Sequence, residues 1–288
     1  GSRKSSQVAR QILSAINNKK MLLSARQKYE LLLPVVQSLT PQRVHEVFKS
    51  EWNKGQRLVT VTGNARIKDP DPAAVVQQVF HNSSTIPAQA PPPSESKSFP
   101  YLTLENDPAG IRSRDKNGAD LGIEVLTLEN NIRLNIKPTD FKPNSFLFNA
   151  CFGAGRGSEP ASKPGLAILA NLVIHESGFG QISRDQLEEA LSGKKVKASF
   201  TVSDNYFSIS GSANPSDAVT AFDIIRHYLM DPGLEPAALN LAKTRYRQEF
   251  EGMARTVEGM MEIQGERFLA GGDTRFGMTH PDTIDQYT

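Results

Sequence analysis

A zinc ion held on a helix needs two ligands about one turn apart, so that both imidazoles meet one ion. The sequence has five histidines, His45, His81, His175, His227 and His280, and no two of them stand three to five residues apart. His175-Glu176 closes the apolar run GLAILANLVIHES and could join a site only with a distant carboxylate. A lone histidine at a helix end reads instead as a capping or surface group. GAGRGSEP (153–160) is rich in glycine. It lacks the Gly-Lys-Ser/Thr ending of a phosphate loop and the glycine spacing of a dinucleotide site, so a strand-to-helix corner is the better reading. Ser192-Gly193-Lys194-Lys195 fits S-x-x-K, in which Lys195 would activate Ser192 in a hydrolase. It falls at an expected helix end, with Gly193 as the cap, and no K-T-G companion string accompanies it. A Ser-Lys hydrolase is therefore a remote alternative. Cys151, the single cysteine, excludes an internal disulfide and reads as a buried inert thiol within NACFG.

The elements that would position these residues follow from periodicity. VARQILSAINNKKMLLSARQKYELLLPVVQSL (8–39) has helical spacing and is expected to break or end before Pro34. Thr40 and Pro41 supply an N-cap and first helical position for PQRVHEVFKSEW. RLVTVTG (57–63) reads as a short strand, and a helix starts behind Pro72. NSSTIPAQAPPPSESKSFP (82–100) changes the composition and reads as an extended linker. Beyond Gly118, IEVLTLENNIRLNIKPT reads as two strands around Asn130-Asn131, and SFLFNACFGAG as a third strand running into the glycine corner. GLAILANLVIHES is an apolar helix expected to be buried on most sides. SRDQLEEALSG has Ser183 as its N-cap. KVKASFTVSDNYFSISGSA alternates by two across Asp204-Asn205, a hairpin. Residues 215–232 form a helix with Ala218, Phe222, Ile225 and Leu229 on one stripe, and a long helix follows. Hairpin-linked strands are antiparallel, so the fold class is α+β: a mostly antiparallel sheet with helices packed on one face.

The 288 residues are 38% hydrophobic and 22% charged, which suits a packed core of one large or two medium domains. Thirty-three basic and 31 acidic side chains leave a formal charge of +2, which gives no reason to expect nucleic acid or an anionic membrane as the main partner. No apolar run is long enough for a membrane-spanning helix. Gly1-Ser2, followed at once by helical sequence without an initiator Met, reads as a cloning remnant on an excised piece.

From about 119 to 288, roughly 60% of the chain, the order of features resembles the pitrilysin/insulinase-type zinc peptidases and their non-catalytic relatives among processing-peptidase and respiratory-complex core subunits. The strand pair LTLENNIRLNI comes first, then FGAGRGSEP, GLAILANLV, LEEALSG, the hairpin, and ISGSANPSDAVTAFDIIRHYLMDPGLEPAALNLAKTRYRQEF. In active members the helix after the G-S-E-P loop carries H-x-x-E-H, two zinc ligands and a general base. Aligned on Gly165-Leu166-Ala167, the first ligand position holds Ile168, the base position Asn171 and the second ligand position Leu172. Glu249 lies in the region of the family's third ligand and reads as an ordinary surface carboxylate. The resemblance implies no catalytic, metal or cofactor site in this chain, and zinc in the catalytic domain of a parent. It further implies that residues 1–81 are the tail of a preceding peptidase-like domain, 82–118 the linker between halves, and 119–288 a non-catalytic repeat domain. Partners would be the other domains of the parent and a peptide or unfolded polypeptide substrate, docked along an edge strand and enclosed in a chamber. The main alternative is a structural or partner subunit of a wholly inactive member. Family habit would place a bacterial parent in the periplasm. Ile168 and Leu172 are expected to face apolar neighbours.

Overall fold

The computed structural model describes residues 5–55, 57–63, 67–89, 98–103, 108–142 and 144–288, with the backbone alone at 116–119. The chain divides into two compact units, Arg3–Pro93 and, the first two residues apart, Ser94–Thr288.

The first unit is built of helices α1 (Ser5–Asn17), α2 (Ala25–Gln37), α3 (Pro41–Trp52) and α4 (Pro72–Ser84). The break expected at Pro34 comes earlier. Lys19 adopts φ 49°, and Ser24 restarts the helix with a reciprocal capping box to Gln27. Pro34 sits inside α2, whose residues are all exposed or half-buried, so the carbonyl it leaves unpaired can reach water. Thr40 and Asp71 cap α3 and α4, each with a proline in the first turn. The strand expected at 57–63 does not form. Residues 57–62 have no ladder partner, because the described part of this unit holds no second strand. None of the four helices has a buried residue; Leu31, Val36, Phe48 and Trp52 are all exposed.

The second unit holds two three-stranded antiparallel sheets. β1 (Ile111–Gly118), β2 (Ile123–Leu128) and β3 (Arg133–Ile136) form one in that order. The β2–β3 turn places Asn131 at φ 66°, as an asparagine turn should. β1, of sequence IRSRDKNG, lies inside the stretch read as linker. It has no apolar alternation to announce it and is held by its ladder to β2, with two register shifts. The other sheet has the order β4-β6-β5, from β4 (Phe146–Phe152), β5 (Val196–Val202) and β6 (Phe207–Ala213). Its register sorts the side chains by face. Phe146, Ala213 and Val196 share a row, as do Phe148, Gly211 and Ala198, Ala150, Ile209 and Phe200, and Phe152, Phe207 and Val202. The opposite face carries Leu147, Asn149 and Cys151 beside Ser212, Ser210 and Ser208. Cys151 is thus exposed, against the expectation of a buried thiol. Counting apolar neighbours in NACFG overlooked the period of two, which puts position 151 opposite the apolar face.

Helices α5 (Leu166–Glu176), α6 (Arg184–Ala190), α7 (Ala218–Met230) and α8 (Pro236–Met253) belong to the same unit, and the short helices α9 (Val257–Met260), α10 (Glu266–Leu269) and α11 (Pro281–Ile284) follow. α5 and α7 pack on β5, and α5 packs on α8. Along α5 only His175 is exposed, in line with the helix expected to be buried on most sides. α7 turns a different stripe inward from the one its sequence suggested. Thr220, Ala221, Ile224 and His227 are buried, whereas Phe222 and Leu229 are exposed. Both stripes have helical spacing, and the contacts with Phe179 and Ile182 select the one containing the histidine.

Candidate functional site

The site that sequence singles out is α5 and the loop that launches it. β4 runs into Gly153-Ala154-Gly155, and Gly155 has φ 57°, a conformation that L side chains rarely adopt. A Cβ there would overlap the Ser203 carbonyl oxygen and the Tyr206 amide. The close approach lets Arg156 N–H donate to Ser203 O and Gly157 N–H to Asp204 O, both at 2.9 Å. Loop amides that a phosphate would need are thus committed to the β5–β6 turn. Gly155→Ala is expected to cost about 1–3 kcal/mol, read as a fall in the unfolding midpoint. The Arg156 guanidinium, itself largely buried, donates to the carbonyls of Arg275 at 2.6 Å and Gly277 at 2.9 Å, tying the corner to the end of the chain.

Glu159 completes the corner. Its carboxylate, 6% exposed, accepts hydrogen bonds from the amides of Gly165 and Ala167, both at 2.7 Å. It is the N-terminal cap of α5, reaching back over a proline turn to a helix whose own N-cap residue, Gly165, has no side chain to offer.

On α5, Ile168 and Leu172 pack against a buried cluster of Leu169, Val173, Ala238, Ala242, Tyr246 and Ile284. Both face apolar neighbours, as expected. Asn171 is half-buried, and its Oδ1 is buried without a hydrogen-bond partner. Zinc does not fit this donor set. Two of the three positions offer hydrocarbon and the third a neutral amide, none of which is a zinc ligand of the usual kind. His175 is exposed. The Glu176 carboxylate is buried between Arg184, at 3.1 Å, and Arg245. Glu249 is exposed on α8. Among the described residues no group of three or more His, Cys, Asp or Glu side chains stands close enough to hold a metal ion.

Ser192 and Lys195 are both exposed on the turn between α6 and β5. The nearby hydroxyl contact is made by Lys194, whose Nζ donates to Thr220 Oγ1 at 3.1 Å. Ser203-Asp204-Asn205 does supply the S-D-N string of Ser-Lys hydrolases, but it forms the β5–β6 turn, with two of its carbonyls spent on the glycine corner. An exposed turn gives such a pair no enclosed site in which to hold an acyl group.

A second surface is the outer edge of β4. It is an edge strand, paired only with β6, and among the described residues no strand pairs with its other side. Its side chains alternate between the aromatic face and the hydroxyl-rich face. Sequence identified the strand but gave no means of knowing that it stands at an edge. The cap made by Glu159 and the aromatic surroundings of His227 were also missed. The first is a local contact, six and eight residues along, made by a side chain standing well before the helix it caps, whereas the second brings together segments far apart in the sequence.

The mixed α+β fold, antiparallel sheets with packed helices, is consistent with an M16-peptidase-like domain preceded by a helical region, and the chain is homologous over part of its length to members of the pitrilysin/insulinase (M16) zinc-metallopeptidase family. No family model matches the chain. Over 263 residues, 91% of this chain, it is 21% identical to a probable zinc protease PqqL of Haemophilus influenzae, of which it spans 28%. The periplasmic protease PqqL of Escherichia coli superposes with a TM-score of 0.56 at 21% identity, over 99% of this chain and 31% of that one. A peptidase M16 inactive domain from Pseudomonas fluorescens superposes with a TM-score of 0.50 at 13% identity, over 58% of this chain and 40% of that one. The chain therefore spans less than a third of the length of the PqqL proteins it matches.

Proposed function

We propose that this chain is a non-catalytic portion of a longer zinc metallopeptidase and contributes chamber wall and peptide-docking surface to an active site carried elsewhere in the parent. The observation that carries the reading is the state of α5. Its motif positions hold Ile168, Asn171 and Leu172, and the two aliphatic side chains are built into the core. The parent would hydrolyse peptide bonds with its own zinc. Residues 1–81 would close a preceding domain, 82–118 would link the halves, its last residues pairing as β1 with the sheet beyond, and 119–288 would be the non-catalytic repeat. The exposed apolar side chains of α1–α4 support the first of these assignments, since amphipathic helices with no buried residue lack the surface they were made to cover. An extended substrate would add to the free edge of β4 by main-chain hydrogen bonds. The periplasm is the proposed compartment, on the strength of the E. coli relative alone.

The test is complementation. A separately produced catalytic half of the parent, mixed with this chain, should cleave an unstructured polypeptide that neither piece cleaves alone. A pair that stays inert while the catalytic half binds zinc would refute the chamber role. A further expectation concerns the motif itself. Ile168→His, Asn171→Glu and Leu172→His together should not yield stoichiometric zinc by elemental analysis, because the third ligand and the groups that orient imidazoles are not in place. Leu172→His alone should lower stability by about 1–2 kcal/mol, since it puts a polar ring against the aliphatic cluster.

A further inference from the structure

Residues 98–103 precede the first sheet, yet Phe99, Tyr101 and Leu102 all contact α7. Phe99 stacks on Phe179 with ring centroids 5.9 Å apart, and Tyr101 donates its hydroxyl to Asp231 Oδ2 at 2.7 Å. The Gln181 amide donates to the Tyr101 oxygen at 3.3 Å, and the Arg226 guanidinium donates to the Leu102 carbonyl. Beneath these contacts lies His227, fully buried. Its ring centroid is 4.8 Å from that of Phe99, 4.5 Å from Tyr101 and 5.2 Å from Phe179. Nδ1 lies 2.7 Å from the Asp223 carbonyl oxygen, which fixes the proton on that nitrogen. Nε2 is buried with no hydrogen-bond partner. A second proton would therefore arrive on a buried nitrogen that has no acceptor in place, among aromatic rings.

We propose that residues 99–102 are a proton-releasable strap, docked on α7 while His227 is neutral and detached when its imidazole takes a second proton. The geometry supplies the linkage. Two of the three rings around His227 belong to the strap, so detachment is what opens Nε2 to water. The charged groups near the ring pull in both directions. Asp223 and Asp231 favour the second proton, and Arg226 opposes it, but burial is the largest influence and holds the pKa below the ordinary 6.5. Tyr101, pushed up to about 12 by burial and by its bond to Asp231, stays a neutral donor throughout. The detached state, with the ordinary histidine pKa, binds the proton more readily than the docked one. Docking is thus complete above about pH 6.5 and is lost as the pH falls below it, by at most about tenfold per pH unit for one proton. This inference stands apart from the peptidase reading and survives its failure.

Amide hydrogen exchange of the full chain between pH 7.5 and 5.5, corrected for the intrinsic pH dependence of exchange, tests it. Peptides covering 98–103 should lose protection below about pH 6.5 by up to about tenfold per unit while β6 keeps its protection. In His227→Gln, whose amide can still donate to the Asp223 carbonyl, the strap should show no pH dependence. Strap protection that is flat in the unaltered chain overturns the proposal. So does protection that falls together with β6, or that falls equally in the variant. Should the variant not fold, an NMR titration of the His227 ring in the unaltered chain decides. Its midpoint must coincide with loss of the strap, and a ring that does not titrate as the strap detaches overturns the proposal.

Discussion

Glu159→Ala should destabilise the second unit by about 2–4 kcal/mol, because two buried amides each lose a charged acceptor worth about 1–3 kcal/mol. The carboxylate is 6% exposed and meets Gly165 N–H and Ala167 N–H at 2.7 Å each. No neighbour can replace it, since Gly165 at the N-cap position has no side chain. Glu159→Gln should fall between, keeping one oxygen acceptor and losing both the second and the charge that faces the positive end of α5. The measurement must report on the right unit. Trp52, the single tryptophan, lies in the other one, so tryptophan fluorescence would miss the change. Amide exchange along α5, or near-ultraviolet circular dichroism of the tyrosines, reads it directly. A loss below about 1 kcal/mol would mean that water takes over both amides and that the corner can open without harm to α5.

The second unit was largely legible because its signals are local. Alternation in FLFNACF, VKASFTV and FSISGSA gave three strands, and Ser183 gave a helix start that the structure confirms with a capping box. Where local patterns were ambiguous, tertiary contact decided. α7 carries two apolar stripes, and the buried one includes His227, a residue that periodicity alone assigns to the polar side. β1 escaped notice because Arg, Ser, Asp, Lys and Asn fill a strand that its ladder to β2 holds in place. RLVTVTG failed for the opposite reason, a strand pattern with no partner among the described residues.

That Ile168 and Leu172 would face apolar neighbours was legible from the apolar run of α5. The identity of those neighbours was not. That Leu172 packs against a cluster containing Tyr246 and Ile284, more than seventy residues away, is set by how α8 and the last residues close over α5. The same closure accounts for how α5 is held in place by packing. Ile168 and Leu172 supply contact area to the cluster that holds α5 against α8.

Tyr246 is the residue on which that closure should depend most. It is fully buried on α8, in the cluster that receives α5, and its hydroxyl donates to the Thr279 carbonyl at 2.8 Å. Burial pushes its pKa up to about 12, so the phenol remains a donor across any accessible pH. Tyr246→Ala removes a ring from a packed interior and should cost about 3–5 kcal/mol, a transfer loss plus the cavity left behind. Tyr246→Phe keeps the ring and leaves one buried carbonyl without its donor, so the loss should be about 1–2 kcal/mol. The two variants together separate packing from hydrogen bonding. If the phenylalanine variant lost as much as the alanine one, the bond to Thr279, and not the ring, would be what anchors the end of the chain over α5. Equilibrium urea unfolding followed by tyrosine circular dichroism distinguishes these outcomes. Exchange of the α5 amides should then show that helix released in Tyr246→Ala and retained in Tyr246→Phe.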